Sequence, residues 1–267
     1  MHCFDRDTMA LGDKGELTLD ISGGWSINET PNGGYIMALM TRAMTPEESL
    51  EGDSTKSGCI VTANYLGRCA YEPARILVET MGESRHYIRK QARLIQGDEE
   101  KIRAMATFIK PGDESFVTSY ESRPETVAPW EDCVQMPSMP GYSLFDQVDI
   151  RLDPVSAGWM EGKLSDRSVM KGWIQFREDR IVDLPAITLF ADCLPPCVFT
   201  SRGMVAWVPT IEFSVNVRQL PVGRRLKGIF TTRFISGGLV EEDGEIWDEQ
   251  DNLIALSRQI AKYHPIN

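Results

Sequence analysis

The sequence predicts an α+β fold made of two consecutive repeats, each a curled antiparallel sheet wrapped around a central helix. Three observations carry this expectation. Two mostly apolar stretches, 35–44 (YIMALMTRAM) and 184–201 (LPAITLFADCLPPCVFTS), read as helices without a broad polar face. Such a helix must be covered around most of its circumference, which a sheet curling about it does. Each stretch is followed by strand-like segments ending in a hairpin, in the same order in both halves. Between them, 111–142 holds five prolines (Pro111, Pro124, Pro129, Pro137 and Pro140) and no clear periodicity, the composition of a linker. The expected division is therefore 1–110, a linker at 111–142, and 143–267.

Taken in order, 16–21 (ELTLDI) alternates polar and apolar residues as a strand does. Gly23-Gly24-Trp25 and Thr30-Pro31-Asn32-Gly33-Gly34 mark a loop, with Asn32 or the glycines opening the 35–44 helix. Thr45-Pro46-Glu47-Glu48 reads as a further helix start. Strands follow at 59–66, 74–81 and 86–94, and a turn at 96–100 leads into 101–109. Trp130 and Tyr142, within the linker, are costly to leave exposed and should pack on the surface. In the second half, strands at 145–152 and 169–176 precede the 184–201 helix. Strands at 210–218, 225–235 and 244–247, a turn at 249–252 and a strand at 253–263 complete it. RILVETMG beside RLKGIFTT, and QGDEEKIRAMATF beside DEQDNLIALSRQI, keep this order with similar spacing.

With 267 residues, 42% apolar and 25% charged, the chain has an ordinary globular composition. A net charge of −11 argues against non-specific binding to nucleic acid or anionic membrane, though a local basic patch could still hold a small anion. No apolar core of signal-peptide length opens the chain and no run approaches about 20 apolar residues, so a cytoplasmic location is expected. The six cysteines form no C-x-x-C pair and have no companion histidine spacing. They read as reduced structural thiols, with no metal site. Only His2, His86 and His264 are available, which gives a Ser/Cys-His-Asp triad little to draw on.

Within 184–201 Asp192 is the only side chain charged at neutral pH. A buried carboxylate is costly without partners, so its presence needs a reason. Two remain open at this level. Asp192 can cap a helix start, since Asp is favoured there and Pro195-Pro196 follow. Alternatively, it is a catalytic carboxylate in a dry pocket.

Specific motifs then point to a family. FD (Phe4-Asp5), Trp25 to Tyr35 (WSINETPNGGY) and ATF (Ala106 to Phe108) resemble the double-hotdog, thioesterase-like proteins related to acyl-CoA thioesterase II (TesB). The second half resembles them more strongly, through ADCLPPCVF (Ala191 to Phe199), WVPTIEFSV (Trp207 to Val215), GGLVEEDGEIWD (Gly237 to Asp248) and LSRQIA (Leu256 to Ala261). The resemblance implies a double hotdog that hydrolyses acyl-CoA thioesters, without a cofactor, as a homodimer. In acyl-CoA thioesterase II-type enzymes an Asp, a Thr and a Gln of the second hotdog hold the attacking water; here they fall on Asp192, Thr210 and Gln259. The first half has Gly33 or Gly34, Ile60 and Thr107 at the corresponding places, which implies a degenerate site there.

Each residue also has a structural reading. Thr210 shares the parity of Glu212, Ser214 and Asn216, which sets it on the polar sheet face unless the strand end is bulged. Gln259 can be an exposed strand residue. Asn32, Gly33 and Gly34 are candidate substrate and oxyanion contacts, because glycine lets backbone approach a ligand, or they are simply turn residues. Hotdog dehydratases resemble one another in pairing an Asp with a His five residues on; here that residue is Cys197, which disfavours dehydration. A non-catalytic acyl-CoA-binding or scaffold protein is the alternative to hydrolysis. For CoA phosphates the basic clusters are Arg218, Arg224, Arg225 and Lys227, or Arg85, Arg89 and Lys90, each more readily read as a solvated strand edge.

Overall fold

Strand alternation and the two apolar helices together produce one continuous antiparallel sheet that curls around a helical layer. The structure, a computed structural model, describes residues 1–13, 15–46, 58–110 and 117–266. The sheet strands of the first half are β1 (Leu11–Asp13), β2 (Glu16–Asp20), β3 (Cys59–Tyr65), β4 (Pro73–Glu83), β5 (Tyr87–Gln96) and β6 (Glu99–Ile109). Those of the second half are β7 (Val134–Gln135), β8 (Val148–Leu152), β9 (Ser168–Phe176), β10 (Thr210–Val217), β11 (Leu226–Thr232), β12 (Leu239–Asp248) and β13 (Leu253–Lys262). Their spatial order is β1-β2-β4-β5-β6-β3-β10-β13-β12-β11-β9-β8-β7. The two halves meet at β3 and β10, where Val61 lies opposite Val215, Ala63 opposite Phe213, and the Thr62 and Ser214 hydroxyls are 2.9 Å apart.

The inner face is set by residue parity. Cys59, Val61 and Ala63 of β3 and Phe213, Val215 and Val217 of β10 are buried, while Ile60 between them is exposed. These residues belong to one apolar core that runs through both halves and includes Trp25, Tyr35, Phe108 and Phe190. The short α1 (Cys3–Thr8) is tied to the second half by Arg180, which bonds Asp5 at 2.7 Å and Asp183 at 2.6 Å and lies over the Phe4 ring.

The first central helix, α2 (Gly33–Met44), is continuous and nearly all buried. The second is not the single helix expected over 184–201. It consists of α5 (Leu184–Phe190) and α6 (Val198–Arg202), separated by a turn, after the shorter α3 (Leu144–Gln147) and α4 (Pro154–Ala157). The break follows from Pro195-Pro196, which supply no N–H and push Leu194 out of helical conformation. Residues 145–147, expected in a strand, belong to the α3 turn, and that strand begins at Val148. The 225–235 strand ends at Thr232, and Ile235–Ser236 pairs separately with β12. The strand expected at 244–247 is the ten-residue β12. Part of the expected linker joins the sheet, since β7 pairs with β8. Trp130 packs under the Arg151 and Arg225 guanidinium groups, and Tyr142 stacks on Phe145. Thr45 ends α2; the further helix start expected at Thr45-Pro46-Glu47-Glu48 falls on Glu47 and Glu48, which lie outside the described residues.

Candidate active site

The start of α2 is the natural place to build from, because a helix begins with donors that have no partner inside it. Asn32 is the N-cap in extended conformation, and its Oδ1 accepts from the Tyr35 N–H at 2.9 Å. Its amide nitrogen donates across to the second half, to the Asp192 carbonyl oxygen (3.0 Å) and to Asp192 Oδ2 (3.1 Å). The Gly34 N–H donates to the same Oδ2 at 2.7 Å. The Gly33 N–H has no acceptor among the described residues. Glycine at both places is a matter of close approach. A Cβ on Gly34 would come within 2.7 Å of the Leu189 carbonyl oxygen, and one on Gly33 within 2.9 Å of Asp192 Oδ2.

Asp192 therefore caps a helix, but not its own. α5 is capped by Asp183, and the cap residue of α6 is Cys197, which makes no side-chain cap bond. The carboxylate instead reaches the N-terminus of α2 in the other half, where the helix dipole favours an anion. This also corrects the expected correspondence between halves. Counted from the caps, Asp192 stands nine residues after Asp183 as Thr41 stands nine after Asn32. Gly33 and Gly34 correspond to Leu184 and Pro185, and they form part of the Asp192 site themselves.

Thr210 reaches the site through a bulge. It pairs with Ala261 while Glu212 pairs with Ile260, so Ile211 is an extra residue and Thr210 turns to the inner face with Phe213. Gln259, opposite Phe213 on β13, faces inward too. Its Nε2 donates to Asp192 Oδ1 and to Thr210 Oγ1, both at 2.8 Å. Asp192, Thr210 and Gln259 form one hydrogen-bonded cluster beside Asn32, Gly33 and Gly34. Burial raises the Asp192 pKa to about 6, against the opposing hydrogen bonds from Gln259, Gly34 and Asn32.

Two nearby groups carried no signal in the sequence. Tyr65, the last residue of β3, donates its hydroxyl to the Gly33 carbonyl oxygen at 2.7 Å. Glu242 of β12, opposite Gln259 on the neighbouring strand, accepts the Cys197 N–H at 2.8 Å; burial above all, and the Asp192 charge among lesser causes, raises its pKa to about 7. Glu242 sits in a run of charged residues that reads as solvated. Cys193 and Cys197 are buried, and burial holds both thiols well above their ordinary range.

The expected phosphate-binding cations are largely engaged elsewhere. Arg224 pairs with Asp179, Arg225 with Glu249, and Lys227 with Asp251, while Arg89 lies over the Tyr87 ring. Among the described residues, His2, Cys3 and Glu178 are the one group of His, Cys and carboxylate side chains with mutually close ligand atoms, and it is not part of the Asp192 cluster. No helix among the described residues is long and apolar enough to cross a membrane.

The comparisons with known proteins agree with this architecture. The family described as the acyl-CoA thioesterase C-terminal domain matches residues 128–262, and the acyl-CoA thioesterase N-terminal domain matches residues 21–109. No curated protein matches the chain. Among solved structures, a Thermobifida fusca YX protein assigned as a thioesterase II is similar over 98% of both chains, with a TM-score of 0.86 and 21% identity. A hot dog-fold protein of unknown function from Alicyclobacillus acidocaldarius is similar over 100% of both chains, at 0.85 and 18%. The acyl-CoA thioesterase II TesB2 of Mycobacterium marinum is similar over 99% of both chains, at 0.74 and 14%. At such identities these likenesses establish the fold, and the two family matches together span both halves. The chain belongs to the acyl-CoA thioesterase family of double-hotdog proteins.

Proposed function

We propose that the protein hydrolyses acyl-CoA thioesters to a free acid and CoA, with water held by Asp192, Thr210 and Gln259. The observation that carries this reading is that three residues far apart in sequence share one amide, the Gln259 Nε2, 2.8 Å from both Asp192 Oδ1 and Thr210 Oγ1. Each carboxylate oxygen has two lone pairs, so Oδ1 keeps one for a water proton. Thr210 accepts from Gln259, which frees its own hydroxyl proton to fix the water oxygen. A base whose pKa is about 6 is mostly ionised at neutral pH and still matched to proton transfer there.

In the attack, the water oxygen bonds the thioester carbon as its proton passes to Asp192. The Gly33 N–H, at a helix start, takes the developing negative charge on the carbonyl oxygen. Collapse breaks the C–S bond, and the thiolate leaves and recovers the proton from Asp192 or solvent. In the division 1–110, 111–142 and 143–267, the second repeat supplies the side chains that hold water. The first supplies the helix N-terminus that holds Asp192.

Thiol release from short-, medium- and long-chain acyl-CoAs tests the reading. The expected result is release by the purified protein with at least one chain length, lost in Asp192→Asn. Absence of release over the whole series would overturn it.

A further inference from the structure

We propose that Tyr65 is a positioning residue for the Asp192 carboxylate, acting through the single peptide group between Gly33 and Gly34. The Tyr65 hydroxyl donates to the Gly33 carbonyl oxygen at 2.7 Å. At the other end of the same planar unit, the Gly34 N–H donates to Asp192 Oδ2, also at 2.7 Å. A hydrogen bond accepted at a carbonyl polarises its amide and strengthens the N–H as a donor. The phenol and the carboxylate are thus linked through one resonance-coupled group although they do not bond each other.

The surroundings fit this role. Burial, with the Asp192 charge nearby, holds the phenol far above its ordinary pKa, so it remains a donor across the working pH range. The place where a Gly33 Cβ would stand is 2.9 Å from Asp192 Oδ2, 3.6 Å from Thr210 Oγ1 and 3.6 Å from the Tyr65 hydroxyl. The phenol therefore borders the same space as the water-holding residues. Its carrier, β3, is the strand that pairs with β10 of the other half, so the link fixes the α2 N-terminus against the seam. Among the described residues, its neighbour Cys193 and Glu242 across from Gln259 also act electrostatically with Asp192.

The kinetic part of the test rests on the hydrolysis reading; the spectroscopic part does not. The Asp192 side-chain carbon, labelled with carbon-13 and assigned by its loss in Asp192→Asn, is titrated by NMR in the wild type and in Tyr65→Phe. The expected result is an upward move of the Asp192 midpoint by about 0.3–0.6 of a pH unit, the weakening of one polarised donor. The acid limb of kcat/KM should move with it, and kcat should fall about three- to tenfold with KM nearly unchanged. Tyr35→Phe is the comparison, since it removes another buried phenol, which is carried by α2 and donates to the Asp7 carbonyl oxygen of α1 at 2.8 Å without a link to the carboxylate. It should cost stability and leave the Asp192 midpoint in place. Replacing all tyrosines with 3-fluorotyrosine keeps the fold if Tyr65→Phe does not, and its stronger phenol donor should move the midpoint down. An Asp192 midpoint that stays fixed under both changes at Tyr65 would overturn the proposal. A wild type that releases no thiol would instead sink the hydrolysis reading, while the titration still decides the link.

Discussion

Replacing Asp192 with Asn separates the chemical role of the carboxylate from its structural cost. The amide oxygen can still accept from the Gly34 N–H and the Asn32 amide, and Gln259 can turn over so that its oxygen faces the new NH₂ group. What disappears is the charge. A carboxyl group whose pKa is raised from 3.8 to about 6 is disfavoured as an anion by at most about 3 kcal/mol, at 1.36 kcal/mol per tenfold change in acidity. Because the folded-state value lies above the unfolded one, the unfolded chain ionises first. This group therefore lowers wild-type stability progressively between about pH 4 and pH 6, after which its cost is constant. The Asn variant has no such dependence. It should match the wild type near pH 4 and exceed it by up to about 3 kcal/mol at pH 7.5, with water at the open side of the group reducing the gain. Its turnover should fall by about 10²–10⁴. Urea unfolding followed by tryptophan fluorescence at several pH values, beside thiol-release kinetics, measures both. An Asn variant of full activity, or one that loses stability relative to the wild type as pH rises from 4 to 7.5, refutes the reasoning.

Other expectations follow from the same geometry. The kcat/KM of the wild type should rise with pH through a midpoint of about 6 as Asp192 loses its proton; a profile flat from pH 5 to 8 would remove Asp192 as the base. Exchanging residues 210 and 211 (Thr210→Ile with Ile211→Thr) should reduce thiol release at least tenfold, roughly the value of one aligned contact in the transition state, because the bulge turns position 210 inward. Retained activity in that exchange would mean that the strand runs regularly. Gly34→Ala should cost about 1–3 kcal/mol in urea unfolding and most of the activity. Its methyl group would press on the Leu189 carbonyl oxygen and drive α2 away from Asp192. Wild-type stability and turnover in that variant would contradict the close packing at this point.

The layers of the fold were legible where one residue property decides one structural property. Charge-poor helical spacing marked α2 and α5, alternation marked β2, and strand-like segments placed β3, β5, β10 and β13 within a few residues. Reading failed where a residue is placed by a neighbour instead of by its own pattern. The Glu241-Glu242-Asp243 run looks too charged for the middle of a strand, yet β12 pairs along its whole length and turns Glu242 toward the Cys197 N–H. Parity alone set Thr210 on the outer face, and only an inserted residue in the ladder brings it in. The three residues named by resemblance could be listed from the sequence, but not the donors that hold them. Asn32 and Gly34 lie some 160 residues from Asp192, and their contact is created by the pairing of β3 with β10.

In the proposed mechanism, that placement makes catalysis and cohesion the same set of contacts. The carboxylate that one repeat contributes is solvated by backbone and side-chain dipoles of the other, so neither repeat holds a working site by itself. Parting of the β3–β10 seam by an ångström would strip the anion of two of its three donors before any core residue met water. On the proposed mechanism, turnover would be a gauge of assembly within the chain, since a molecule whose halves have not docked would be silent. Substitutions along the β3–β10 seam would then fall under the same constraint as Asp192, Thr210 and Gln259.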